Sequence, residues 1–195
     1  MMPITQAELL FLLSLRPPEP QADRPSIDVA GLLELDAEHG ELLRLAGLSG
    51  LVARGGCIMR DELVELDGPI AAIADALLHA IECVRIAATS ADTIVVWQIF
   101  SGDESRLMVT PLGYGAFEAL PMLTTESLAS QIEEMLETAS NGQQIDLVAI
   151  ERHAPDLVET LVLQPDPDGW HSTSESPRLG DRTATLAAHL ELILR

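Results

Sequence analysis

Apolar positions keep a helical spacing near both ends of the chain and a period of two in its middle, and that change sets the expected fold. Near the start, Thr5 and Glu8 have the Thr-x-x-Glu spacing of a capping box, in which each side chain satisfies the other residue's backbone N–H. Leu9, Leu10 and Leu13 then share a face, which predicts a first helix. Pro17, Pro18, Pro20 and Pro25 end it and predict an extended polar connection to about residue 26. A second helix is expected over 36–46, with Leu35, Leu42, Leu45 and Ala46 inward and Gly47 as its C-cap. The glycines and short apolar runs of 51–59 and 63–69 predict a small hairpin or a helix-to-strand bend. Pro69 opens a stronger helix, in which Ile70, Ile73, Ala74, Leu77, Leu78 and Ile81 keep helical spacing.

From there the period is two. Segments 84–88, 93–100 and 106–110 predict consecutive strands, with turns at Ser90-Ala91-Asp92 and Ser101-Gly102-Asp103-Glu104. A short fourth strand over 117–120 completes an antiparallel meander. Its second strand is apolar on both faces, with Ile94, Val96 and Phe100 on one and Val95, Trp97 and Ile99 on the other. Such a strand is central and covered twice, or it exposes an adhesive face. Thr124 or Thr125 is expected to cap a helix carrying Leu128, Ile132, Met135, Leu136 and Ala139 on one stripe. Asn141-Gly142 predicts a turn, 145–150 and 157–163 predict strands, and 165–170 a loop. A closing helix is expected over 182–195, with Leu186, Leu190, Ile193 and Leu194 inward. The order helices, strands, helix, strands, helix predicts an α+β fold, an antiparallel sheet flanked by helices with a helical N-terminal region. The second strand–helix block reads as a shorter echo of the first. One domain over 1–195 is expected, mainly helical over 1–81, a meander plus helix over 82–139, and a shorter strand–helix block over 140–195.

Charge narrows the functional classes. Thirty-one acidic residues face eleven basic ones, all arginine, for a net −20 on 195 residues of which 47% are hydrophobic. The apolar content is too high for a disordered acidic tail. The charge opposes nucleic-acid binding, which needs cations to replace released counterions. Residues 26–68 have a winged-helix-like pattern, but their nine acids against three arginines leave −6, a balance that phosphate repels. No run approaches the length of a membrane-spanning helix, and 9–13 lacks the flanks of a signal segment. The chain reads as soluble and cytoplasmic.

Candidate chemistry is sparse. Cys57 and Cys83 are too far apart for a C-x-x-C motif and read as buried, reduced thiols, with a disulfide as the alternative. His39, His79, His153, His171 and His189 show no metal-ligand spacing. Asp166, Asp168 and His171 are near enough to bind a cation, yet alternate with Pro165, Pro167 and Gly169 as turn residues do. Gly113-Tyr114-Gly115 lacks the third glycine of a dinucleotide loop and reads as a bend between strands. There is no Walker A motif, no lysine to serve one and no G-x-S-x-G serine. No catalytic residue, metal or cofactor is expected.

Some segments resemble a known family. Thr5-Gln6-Ala7-Glu8-Leu9-Leu10, Gly50-Leu51-Val52-Ala53-Arg54-Gly55, the run 70–78 entering the first strand, the meander 84–110, and Leu120-Pro121 leading to the helix at Leu136 are similar to the EspG family of actinobacterial type VII (ESX) secretion-associated proteins. The likeness covers about two-thirds of the chain. It implies an antiparallel sheet with helices and two related halves, and a cytosolic chaperone that binds PE–PPE heterodimers. This chain reads as a shortened relative with a reduced second half.

The expectation is therefore a non-enzymatic cytoplasmic protein-binding module, resembling a type VII secretion chaperone or adaptor. Its partner would be another protein, such as a secretion substrate, or its own copy, with no nucleic acid and no membrane. Trp97 and Phe100 are the candidate partner-binding residues. The alternatives are a homo-oligomeric regulatory or structural protein and a small-molecule enzyme.

Overall fold

The computed structural model describes residues 1–15, 37–61, 63–91, 93–140, 144–155, 157–174, 176 and 178–195. In chain order the elements are β1 (Met2–Thr5), α1 (Gln6–Ser14), α2 (Ala37–Ala53), β2 (Cys57–Arg60), β3 (Leu63–Leu66), α3 (Gly68–Leu78), β4 (Glu82–Ser90), β5 (Thr93–Ser101), β6 (Arg106–Gly113), β7 (Ala116–Pro121), α4 (Leu128–Ser140), β8 (Leu147–Ala154), β9 (Leu157–Asp166), β10 (Gly169–Thr173), β11 (Arg182–Ala184) and α5 (Leu186–Ile193). Nine strands form one sheet in the order β1-β7-β6-β5-β4-β8-β9-β10-β11, each neighbouring pair antiparallel. β2 and β3 pair separately as a hairpin. The fold is α+β.

The same order of four strands and a helix occurs twice. Strands starting at Glu82, Thr93, Arg106 and Ala116 lead to α4, and strands starting at Leu147, Leu157, Gly169 and Arg182 lead to α5. The two blocks meet at the β4–β8 pair, where Ile86 faces Ile150, and run outward in opposite directions. The second block is the smaller, ending in strands of 5 and 3 residues and a helix of 8.

Helices cover the sheet unequally. On one face α1, α2 and α3 pack Leu9, Leu12, Leu51, Ile70, Ile73 and Leu77 against Cys83, Phe100, Leu107, Val109 and Ala119. On the other, α4 and α5 pack Ile132, Leu136, Leu190 and Ile193 against Val84, Ile86, Trp97, Ile99, Val148, Ile150, Leu161 and Leu163. Each fully buried Leu or Ile contributes about 2 kcal/mol of transfer free energy. The two readings of β5 are each true of half the strand. Its C-terminal half is covered on both faces, while Ile94 near its start remains 68% exposed where the first helical layer stops short.

Local chemistry explains several boundaries. Glu8 N–H donates to Thr5 Oγ1 and Thr5 N–H to Glu8 Oε2, closing the capping box that starts α1. Glu8 is buried and also takes Arg54 Nε at 2.9 Å, which ties α1 to the end of α2. Asp67 caps α3, with Pro69 in the first turn. Both cysteines are free and buried.

Other boundaries differ from expectation. Gly47 does not end α2. It lies inside the helix because the α1 backbone crosses there, and a Cβ at Gly47 would sit 2.0 Å from Ala7 O. The inward face of α2 is consequently Gly47 and Leu51, while Leu42 and Leu45, expected inward, are 61% and 55% exposed, and Ala46 is exposed too. Leu35, Asp36, the prolines at 17–25 and the turn at 141–142 lie outside the described residues. α3 stops at Leu78, leaving Ile81 exposed. Ser127, whose Oγ accepts from Ser130 N–H, caps α4 in place of Thr124 or Thr125. The segment expected as a loop at 165–170 is the tight connection between β9 and β10, and 182–184 is strand, with the last helix starting only at Leu186. β1 has no strand signal of its own in the sequence. It pairs with β7, more than a hundred residues away in sequence, and makes an edge strand.

Candidate functional site

An apolar opening lies on the α4–α5 face. β5, β6 and β7 present Trp97, Met108 and Leu120 on this face, since Ile99 pairs with Met108 and Met108 with Leu120. α4 packs against α5 and leaves an opening between its own side and β5–β7. The resulting cleft, of about 530 Å³, has Trp97, Met108 and Leu120 as its floor, Met122 and Pro121 at one end, and Gln131, Met135, Thr138 and Ala139 of α4 as its wall. Met1, Glu126 and Glu134 stand at its mouth. Four of the six methionines line it. Unbranched thioether side chains adapt to irregular apolar surfaces, so such a lining suits a contact that must conform to its occupant.

Arg106 and Gln131 form a hydrogen-bonded knot at the base of α4. Arg106 Nη1 donates to Gln131 Oε1 at 2.6 Å and to the carbonyls of Leu123 and Glu126, and Gln131 Nε2 donates to Leu123 O at 2.9 Å. This knot fixes the connection from β7 to α4 and so sets the cleft's width. It leaves the two rim glutamates as the titratable side chains of the lining, which contains no cysteine or histidine.

The expected binding residues are not brought together. Trp97 is 7% exposed and forms the cleft floor; Phe100 is 6% exposed and lies on the opposite sheet face beneath α3. Three residues apart on a strand, they point to opposite faces.

Two arrangements invisible in the sequence resemble catalytic pairs. Cys83 and His153 face each other across β4 and β8, a Cys/His juxtaposition built from residues seventy apart. Burial, then Glu151 and Glu82, push the Cys83 thiol up to about 12, while His153 Nε2 lies 3.0 Å from Glu151 Oε1. The thiol stays protonated, opposite to what nucleophilic catalysis needs. His189 is buried, and its Nε2 donates to the Trp170 carbonyl at 2.9 Å, which fixes the tautomer. Burial, with Arg182 and His171 nearby, lowers its pKa, so it is held neutral.

The remaining candidates resolve simply. Asp166 Oδ1 accepts from Asp168 N–H in the turn between β9 and β10, and among the described residues no group of three His, Cys, Asp or Glu could hold a metal ion. His79 is exposed and pairs with Asp75 at 3.0 Å. Gly113, Tyr114 and Gly115 turn β6 into β7, all three with positive φ. Tyr114 is fully exposed at that tip. No described helix is long and apolar enough to cross a membrane.

Comparison with known proteins adds the fold. No protein-family profile and no curated protein matches the chain. Among solved structures it is similar to the type VII secretion system chaperone EspG5 of Mycobacterium tuberculosis, solved in complex with a PE25–PPE41 dimer. The TM-score is 0.57 at 11% identity, over 99% of this chain and 95% of that one, so the second half has its counterpart in the match.

Proposed function

We propose that this chain is a non-enzymatic protein-binding module of the cytosol, a chaperone or adaptor for a protein partner, as its structural neighbour is for a PE–PPE dimer. The match to that neighbour over 99% of the chain carries the reading. The adaptable, methionine-lined cleft and the protonated state of Cys83 support binding over catalysis. A secretion substrate is the partner the neighbour suggests, and Trp97 is the first contact residue to test.

Affinity capture from the native cytosol, with the wild-type chain and a Trp97→Ala variant shown to be folded, tests this. One identified protein, held by the wild type and reconstituted from purified components, supports the reading. Recovery of no specific protein overturns it. A second reading, burial against another copy of the part of the α1–α3 sheet face that those helices leave uncovered, is favoured by Ile94 and Val158, 68% and 64% exposed. A stable dimer in light scattering that protects these two residues would select it.

A further inference from the structure

We infer that the cleft between α4 and the β5–β6–β7 strands is the docking groove for a basic amphipathic helix supplied by another protein. The inference rests on the protein-binding reading and adds the site and the chemistry of the occupant.

The interior calls for an apolar face. Trp97, Met108, Leu120, Met122 and Met135 offer adaptable apolar surface, and Gln131 is already engaged by Arg106 Nη1 and the Leu123 carbonyl. A polar insertion would lose its hydration without finding partners there.

The walls call for a helix. β6 is paired on both sides, by β5 and β7, and the opposite wall is the side of α4. An entering strand would find no free ladder in the β5–β6–β7 floor, the open edge being that of β1 at the end of the sheet, whereas a helix brings its backbone hydrogen bonds already made.

The rim calls for positive flanks. Glu126 and Glu134 stand at the mouth, and Glu118 is two residues from Leu120 on the same face of β7. The guanidinium beside them, Arg106, is tied down by Gln131, Leu123 and Glu126. A chain of net −20 with this rim repels an acidic ligand and speeds encounter with a basic one. Methionine supplies the conformity and glutamate the selection, a division of labour suited to helices with Leu and Arg or Lys at helical spacing.

The test uses the full chain labelled with 13C at its methionine methyls. Met108, Met122 and Met135 report on the cleft, and Met59, on the separate hairpin packed over the opposite sheet face, is the internal control. The probe is a peptide of about 18 residues with Leu and Lys at amphipathic helical spacing, long enough to form a helix. Its partner probe carries Glu in place of Lys. Saturable shifts at the three cleft methyls with the Lys peptide, none at Met59, and no binding of the Glu peptide are expected. Glu126→Lys with Glu134→Lys should weaken binding about five- to tenfold, while the equal charge change Glu65→Lys with Asp75→Lys alters it by less than about twofold. Equal losses in the two double variants would reduce the effect to general attraction and overturn the site. So would shifts at Met59, equal binding of the Glu peptide, or saturation of the cleft methyls by laurate with no response to either peptide. A natural partner held equally by the wild type and the Glu126→Lys, Glu134→Lys chain would defeat the cleft assignment and leave the protein-binding reading standing.

Discussion

One chemical change, glycine to alanine, should stabilise α2 at one position and disrupt the molecule seven residues later. At Gly40 an added Cβ meets nothing within 4 Å, so Gly40→Ala gains helix propensity alone, about 0.5–1 kcal/mol. At Gly47 the same atom would lie 2.0 Å from Ala7 O, 2.4 Å from Ala7 C and 2.9 Å from Glu8 N, all backbone. Ordinary carbon–oxygen contacts begin near about 3.3 Å, so α1 and α2 would have to part by roughly 1 Å. That movement stretches the 2.9 Å Arg54–Glu8 pair and opens the packing of Leu9, Leu12 and Leu51. Overpacking of this kind costs about 1–3 kcal/mol or more, beyond what the propensity gain returns. Urea unfolding followed by circular dichroism measures both variants, with the midpoint rising for Gly40→Ala and falling for Gly47→Ala at similar slope. A Gly47→Ala chain as stable as the wild type would refute the close crossing of α1 and α2.

Other expectations follow from buried polar groups. His189 has a lowered folded pKa, so between that value and the ordinary 6.5 the unfolded chain binds more protons and stability falls as pH drops through this window. The wild-type minus His189→Asn difference in Tm should shrink from pH 7.5 to about 5.5; a difference that does not change with pH would contradict the neutral buried imidazole. Cys83, at about 12, should resist iodoacetamide at about pH 8 in the native chain and react once unfolded in urea, and native labelling at the rate of a free thiol would count against its burial. Arg178 pairs with Glu159, and their side chains are 41% and 4% exposed. Arg178→Ala should therefore cost about 2–3 kcal/mol by leaving a buried carboxylate with only the Ser176 hydroxyl, and Glu159→Gln only about 1 kcal/mol, because the arginine can turn to water. The reverse order in chemical denaturation would show that the buried charge is satisfied some other way.

Much of the fold was legible because its signals are local. Thr5 and Glu8 are three residues apart, the stripes of α3 and α4 lie within single helices, and the meander alternates every second residue. What escaped depends on distant partners. Gly47 resembles a helix end until Ala7 is known to cross it, and Leu42 and Leu45 appear inward for the same reason. β1 contains a proline and becomes a strand only by pairing with β7, while β10 and β11 sit in polar sequence whose order comes from β9. Trp97 stood out in sequence as a large apolar residue on a strand, but its cleft did not. The cleft combines methionines from β6, α4 and the connection after β7, elements that only the tertiary fold brings together. Phe100 gave the same signal as Trp97 and lies on the other side of the sheet; only register separates them.

The measurement that bears most directly on a protein-binding role is light scattering of the purified chain, alone and mixed with the protein it captures from its native cytosol. The account predicts a single copy alone and, on mixing, a heteromeric complex of fixed stoichiometry whose formation protects the cleft methionines from oxidation. A chain that forms only its own dimer, or a mixture whose components elute unchanged, would contradict it.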